Sequence, residues 1–497
     1  MSSSRIGHFV DGTRVSGGER TGPVYNPATG KVAAQVALAS SADVDAAVDA
    51  AAQAYSGWRA MPLAKRADVM FRMRHLLKER TDELARIITS EHGKVVSDAA
   101  GEVARGLENV EFCAGLMQQL KGEFSEQVAT GVDVHQVRQP LGVVACITPF
   151  NFPAMVPLWM ISTAIAAGNT VILKPSERDP SAAIWLAELF TEAGLPAGVL
   201  NVVNGDKVAV DRLLEHPDVQ SVSFVGSTPI AASIYERAAS NGKRVQALGG
   251  AKNHMLVLPD ADLDLAADAA VNAGFGSAGE RCMAISALVA VDSIADELVE
   301  KVKDRMGKLR TGDGTRGSDM GPLVTGAHRD KVTSYLDSGV ADGASLVVDG
   351  REGEYDADGD GFFLAPTLFD DVRPGMSVYD DEIFGPVLSV VRVRTYDEGL
   401  ELINANPYGN GTAIFTNDGG AARRFQDEVE VGMVGINVPI PVPVSYYSFG
   451  GWKNSLFGDT HAHGAEGVHF YTRGKVVTSR WLDPSHGGLN LGFPQND

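Results

Sequence analysis

Uninterrupted apolar runs rich in Val and Ile recur through the middle of the chain, and each stops at a loop of Pro, Gly and polar residues. The runs are LGVVACITP from Leu141, NTVILKP from Asn169, GVLNVVNG from Gly198 and SVSFVG from Ser221. Strands covered on both faces read this way, because neither face needs polar residues. Stretches with helical spacing separate them, including Pro180–Gly194 and one ending at His216. This β-α-β-α alternation predicts an α/β fold with a doubly wound parallel sheet. Ligands of such sheets bind beyond the carboxyl ends of the strands.

A second α/β series starts near Asn253 with HMLVLPDAD. It continues through the strand SALVAVD, a helix over Ala295–Arg310, and the strand-like runs FFLAPTLF, GPVLSVVRV, GTAIFT and GMVGINV. Ahead of the first sheet, GHFVDGTRV reads as a hairpin turning at Asp11-Gly12. Helical spacing then predicts a helix capped by Ser41 or Asp43, and further helices over Leu63–Arg80, Thr81–His92 and Ser97 to about Gly122. VDVHQVRQP alternates as an exposed strand does, and HFYTRGKVVTSRW reads as a terminal strand. No period of 20–50 residues, the mark of a repeat array, stands out.

The formal net charge is −20 over 497 residues. That balance argues against nucleic acid as a partner, since phosphate binding needs clustered Lys and Arg. It leaves anionic small molecules open, because one or two local arginines suffice. The longest apolar run, Ala154 to Ala167, is short for a membrane span and contains Pro157, so no membrane role is expected. The N-terminus shows no apolar or Arg-rich leader. Three cysteines are too few for a disulfide framework, and a reducing, cytoplasmic setting is expected.

Three motifs mislead. Gly274-Phe-Gly-Ser-Ala-Gly279 matches a dinucleotide fingerprint, but a helical stretch rather than a strand precedes it. Asp356-Ala-Asp-Gly-Asp-Gly361 opens like a calcium loop, yet Thr367 stands where the closing Glu belongs; an acidic hairpin turn is expected. Asp459, His461 and His463 lack further ligands at metal spacing, so no metal is expected.

Chemistry concentrates elsewhere. Cys282, in Gly279-Glu-Arg-Cys-Met283, follows a Gly-rich turn and sits beside Arg281. A cation and oriented N–H groups favour the thiolate, which is the nucleophile; an inert buried thiol is the alternative. Cys113 and Cys146 fall in core patterns. Asn151, in Thr148-Pro-Phe-Asn-Phe-Pro153, follows a strand end, where its amide can donate to a developing oxyanion or simply form a turn. Lys174 and Glu177 end the next strand, placed to bind ribose hydroxyls; a carboxylate there repels a 2′-phosphate and favours NAD over NADP. Gly226, Ser227 and Pro229 open a helix whose N–H groups suit a pyrophosphate.

Taken together, these segments resemble the NAD(P)-dependent aldehyde dehydrogenase superfamily over nearly the full chain. The resemblance rests on PFNFP at 149–153, KPSE at 174–177, FVGST at 224–228, LGGAKN at 248–253, GERC at 279–282, EIFGP at 382–386 and SFGGWKNS at 448–455. It implies a Rossmann-like NAD-binding domain over 1–121 and 141–248 and an α/β catalytic domain over 249–445. It also implies a return segment over 446–473, with a small bridging β-sheet from 122–140 and 474–497 that makes a homo-oligomer, dimer or tetramer. It implies Cys282 as nucleophile and Asn151 as oxyanion donor. Thr148, Phe150, Lys174, Glu177, Gly226, Ser227, Glu382 and Phe384 would contact NAD.

Two departures sharpen the resemblance. Most hydrolytic members carry Glu immediately before LGG, as the base for deacylation; here Ala247 holds that place. Coenzyme A brings its own thiol and needs that base less. Ala231 replaces a Gly that many relatives have in the cofactor helix. GERCMA, GAKNH and GDTHAHGAEGVHFYT resemble the CoA-acylating methylmalonate-semialdehyde dehydrogenases. That subfamily handles a carboxylated semialdehyde, and the resemblance assigns Arg105 and Arg281 to its carboxylate. A hydrolytic dehydrogenase and a catalytically silent NAD-binding protein remain the alternatives.

Overall fold

The computed structural model describes residues 4–481; the expected tail beyond 481 lies outside the described residues. An eight-stranded sheet runs in the order Leu456–Phe457, Arg244–Leu248, Val219–Val225, Val143–Ile147, Thr170–Lys174, Leu200–Val202, His8–Val10, Thr13–Val15. Its five central strands are parallel, and antiparallel strands close both edges. From Val143–Ile147 the chain goes to Thr170–Lys174 on one side and later to Val219–Val225 on the other. Strand order therefore reverses there, leaving a crevice at the carboxyl ends. The helix Met155–Ala167 is buried on every residue, as its all-round apolar sequence requires.

The second sheet has seven strands in the order Ser345–Val348, Thr367–Asp370, Val387–Val393, Ile285–Val291, Asn253–Val257, Gly411–Phe415, Met433–Ile436. All neighbours are parallel except the first pair. Cys282, Glu382 and Phe384 precede strands of this sheet, so its amino ends meet the carboxyl ends of the first. A third, antiparallel sheet pairs Thr472–Arg480 with Val132–Pro140 along their whole length, with Glu123–Ala129 on the other side.

Asp11 and Gly12 both take positive φ, 51° and 76°, as the expected two-residue hairpin turn demands. Several local expectations are corrected. The first helix, Ser41–Ala60, is capped by Ser40, whose Oγ accepts from the Asp43 N–H while the Asp43 carboxylate accepts from the Ser40 N–H. The helix expected to reach Gly122 spans Val96–Ala114 and gives way at Gly115 to a short 3-10 turn. FFLAPTLF forms a strand only over Thr367–Asp370, because Pro366 brings no N–H to a ladder. The acidic segment around Asp356 is no hairpin: Tyr355–Asp356 pairs parallel with Thr311–Gly312, and Asp358 forms an ion pair with Arg316.

Candidate active site

Helix Leu263–Phe275 delivers the chain into a tight turn before Cys282, where Ser277 and Ala278 adopt left-handed backbone angles. The glycines of this turn serve close packing rather than phosphate binding. A Cβ on Gly276 would lie 2.4 Å from the Arg281 guanidinium, and one on Gly279 only 2.1 Å from the Gly385 carbonyl oxygen. Cys282 is half-buried and opens onto a pocket lined also by Arg281, Asn253, Ala251, Glu382 and Phe384. Its carbonyl accepts from the Asn253 amide at 2.9 Å and the Asn410 amide at 3.0 Å.

The expected thiolate is corrected. Burial pushes the Cys282 thiol up to about 12, and the Glu382 carboxylate acts in the same direction. The N–H groups of Cys282 and Met283 and the Arg281 charge pull the other way without overcoming it. The resting thiol is neutral, because desolvation of an anion outweighs one partnered cation.

Asn151 is 3% exposed, in the loop that leaves strand Val143–Ile147. Its carbonyl accepts from Lys94 Nζ at 2.6 Å, and Lys94 forms a fully buried ion pair with Glu102 at 2.8 Å. Glu102 also accepts from the N–H groups of Ala154 and Met155 at 2.8 and 3.1 Å, where a carboxylate complements the start of helix Met155–Ala167. Breaking such a buried pair costs about 3–5 kcal/mol. Lys94 and Glu102 therefore fix the Asn151 loop. Neither was legible as a site residue, since in sequence Lys94 falls in a short connector between two helices and Glu102 on a helix with no motif around it.

The loops after three adjacent strands converge beside this one. Thr148 N–H donates to the Lys174 carbonyl at 3.0 Å, and Lys174 Nζ lies 3.3 Å from Glu177. The Phe150 ring packs edge-on to Phe384 at 5.8 Å and stacks on His92 at 5.9 Å, with Arg178 over its face at 4.8 Å. Ser227 caps helix Thr228–Ser240 without a side-chain bond to it. Gly250 N–H donates to Thr228 Oγ1, and Ala251 N–H to Glu382 Oε1, both at 2.8 Å. Gly250 admits Glu382 only because it lacks a Cβ, which would lie 2.2 Å from the carboxylate. Burial holds Glu382 up at about 7.

The family model for aldehyde dehydrogenases matches residues 14–477. The chain belongs to the aldehyde dehydrogenase family. It is 56% identical over 490 residues to a malonate-semialdehyde dehydrogenase of Pseudomonas aeruginosa, covering 98% of this chain and 99% of that one. Malonate-semialdehyde dehydrogenase 2 of Geobacillus thermodenitrificans is 52% identical, covering 95% and 98% of the two chains. A crystal structure from Sinorhizobium meliloti 1021, complexed with NAD, superposes with a TM-score of 0.96 at 54% identity over 97% of this chain and 99% of that one. The methylmalonate-semialdehyde dehydrogenase of Oceanimonas doudoroffii superposes with a TM-score of 0.96 at 54% identity, covering 98% and 99%.

In this aldehyde dehydrogenase, position 247 is a fully buried alanine inside strand Arg244–Leu248, and Ala231 is equally buried. Both arginines assigned to the substrate carboxylate have carboxylate partners within the chain. Arg281 donates to Asp98 at 2.7 Å. Arg105 pairs with Glu108 at 2.7 Å and donates to the carbonyls of Val442 and Pro443. Asp98 and Arg105 stand two turns apart on one face of helix Val96–Ala114, which brings both arginines to the same helix.

Two further buried groups border the site without an assigned role. Glu280 is fully buried, 3.8 Å from His92 and 3.6 Å from His328, and burial pushes it up to about 8. His463 is buried against Trp159, with ring centroids 4.9 Å apart. Among the described residues, no group of three His, Cys, Asp or Glu is placed to hold a metal, and no helix is long and apolar enough to cross a membrane. Cys113 and Cys146 are buried core thiols, each pushed up to about 12.

Proposed function

We propose that the chain catalyses NAD-dependent, CoA-acylating oxidation and decarboxylation of methylmalonate semialdehyde and malonate semialdehyde, yielding propionyl-CoA and acetyl-CoA. The observation that carries this reading is Ala247: a buried methyl stands where the resemblance puts a deacylating base, in a chain that keeps Cys282 and Asn151. The activities named for the Pseudomonas and Oceanimonas relatives point the same way.

The crevice fits a dinucleotide. Thr148 Oγ1 is buried there without a partner, the Lys174–Glu177 pair flanks it, and the helix start at Ser227 offers N–H groups to a pyrophosphate. Phe150, Gly226, Glu382 and Phe384 complete the contacts. NAD, when bound, accepts the hydride. The Cys282 thiol gives its proton to solvent water and its sulfur attacks the aldehyde carbon. Asn151 and the Cys282 N–H donate to the oxyanion that forms. Loss of hydride leaves a thioester on Cys282. Arg281 and Arg105 hold the substrate carboxylate until its C–C bond breaks, releasing CO₂ and leaving an enolate that takes up a proton. The CoA thiol then displaces the Cys282 sulfur.

The open edge of Glu123–Ala129 and the exposed Phe124 (64%) and Val476 (62%) support a homo-oligomer, dimer or tetramer, joined through 122–140 and 474–497. Three unpaired thiols support a cytoplasmic setting. The sheet composition supports NAD binding by 1–121 and 141–248, catalysis by 249–445 and a return segment over 446–473.

The test is NADH formation from both semialdehydes and from propanal, each with and without CoA. Semialdehyde turnover that requires CoA, with propanal far slower, is expected. Propanal turned over as well as either semialdehyde, whatever the CoA level, overturns the substrate assignment.

A further inference from the structure

Two buried carboxamides converge on one carbonyl, and that carbonyl belongs to the nucleophile. Asn253 opens strand Asn253–Val257 and is 2% exposed; Asn410 precedes strand Gly411–Phe415 and is 5% exposed. These strands are parallel neighbours, and Asn253–Val257 also pairs with Ile285–Val291, which the Cys282 loop enters. Asn253 Nδ2 donates to the Cys282 and Ala284 carbonyls, both at 2.9 Å, while its Oδ1 accepts from Gly411 N–H at 3.0 Å. Asn410 Nδ2 donates to the same Cys282 carbonyl at 3.0 Å and contacts Met283 Sδ at 3.0 Å. The Met283 side chain packs closely over Gly411, where a Cβ would lie 2.4 Å from Met283 Cε.

Both lone pairs of the Cys282 carbonyl are therefore occupied by side-chain donors rather than by a ladder partner. The carbonyl and the Met283 N–H are two ends of one planar peptide. Donors at the oxygen lock that plane and draw charge toward it, which makes the N–H a stronger donor; cooperative gains of about 10–30% per bond are typical. The Met283 N–H is one of the groups that favour the ionised sulfur.

We propose that Asn253 and Asn410 are positioning residues for the nucleophile: their amides hold and polarise the Cys282–Met283 peptide so that its N–H stays aimed at the Cys282 sulfur. This rests on the reading of Cys282 as nucleophile. A water-filled or apolar replacement at either position frees the peptide to rotate and withdraws its donor from the sulfur. Burial opposes ionisation throughout the site, so the loss is felt in the rate at which the thiol becomes reactive.

The test is the pH dependence of iodoacetamide alkylation at Cys282, followed by mass spectrometry of its peptide, in the parent and in Asn410→Leu, Asn410→Asp and Asn253→Ser. Aldehyde-dependent NADH formation and far-UV circular dichroism are read in parallel. Expected is alkylation about three- to tenfold slower at each pH from about 7 to about 10, as half a unit to one unit less ionisation gives. kcat falls comparably and KM for NAD is unchanged. A purely structural role lowers the melting midpoint and leaves the alkylation profile of folded protein in place, which overturns the proposal. Should Asn410→Leu not fold, Asn410→Asp keeps the shape and removes the donor; loss of fold in both shows that Asn410 serves the fold alone and also overturns it. Cys282→Ala separates the underlying reading: full activity in that variant refutes Cys282 as nucleophile, whatever the asparagine variants do.

Discussion

Arg281 donates to Asp98 at 2.7 Å, so the cation beside the nucleophile reaches the pocket already partnered. The guanidinium has five N–H donors, and holding Asp98 with one edge leaves others for a substrate carboxylate. Lysine, with a single ammonium, cannot serve both in a fixed geometry. Arg281→Lys is expected to lower kcat/KM for methylmalonate semialdehyde about 10- to 100-fold, the worth of one charge-assisted bond, and to leave propanal within about threefold. Arg105→Ala should show the same selectivity. Steady-state kinetics on both aldehydes check this; equal losses on both remove the arginines from carboxylate recognition.

Asn151 is held by its backbone, through Lys94, so truncating its side chain spares the loop. Asn151→Ala should lower kcat about 10²–10³-fold, as loss of one oxyanion donor does. The dissociation constant for NAD, read by fluorescence titration, should not change. A weakened NAD site with intact kcat would place Asn151 outside the oxyanion hole.

Glu177 stands 3.3 Å from Lys174 at a strand end of the crevice. Glu177→Gln removes the charge that repels a 2′-phosphate. kcat/KM with NADP should rise about tenfold and that with NAD fall. Unchanged preference would move the discriminating group elsewhere.

Burial raises Glu280 from an ordinary 4.5 to about 8. The folded state thus binds this proton more tightly than the unfolded chain does. Its stabilising effect is full below about pH 4.5 and is lost as pH rises through 8. Glu280→Gln keeps the shape and cancels that loss. Its melting midpoint should gain on the parent between pH 6 and pH 9, by about 1 °C for each kcal/mol relieved in a chain of this length. Parallel melting curves across that range would show that Glu280 does not titrate in the fold.

Much of the site was legible because its parts are local. Thr148–Asn151, Lys174–Glu177 and Gly226–Ser227 each follow a continuous apolar strand, and sheet topology gathers strand ends. What stayed hidden depends on distant pairings. Arg281 meets Asp98, and Lys94 meets Glu102 and the Asn151 loop, only in the folded chain, and Asn253 and Asn410 meet at the Cys282 carbonyl only once the second sheet has paired its strands. The neutral state of Cys282 was hidden for a related reason: Arg281 next door is visible in sequence, whereas burial of the thiol and its distance from bulk water are properties of the packed pocket. The Gly-rich turn at Gly274–Gly279 misleads because Gly marks close approach of any backbone, here Gly385, as readily as that of a phosphate.

The central claim, a thioacyl enzyme that only CoA resolves, is tested most directly by single-turnover analysis without CoA. The enzyme is mixed with methylmalonate semialdehyde and NAD, NADH is counted against subunits, and the Cys282 peptide is examined by mass spectrometry. The account predicts a burst approaching one NADH per subunit, a propionyl thioester on Cys282, and its release as propionyl-CoA when CoA is added. Continued turnover to free acid without CoA, with no acyl group on Cys282, would contradict it.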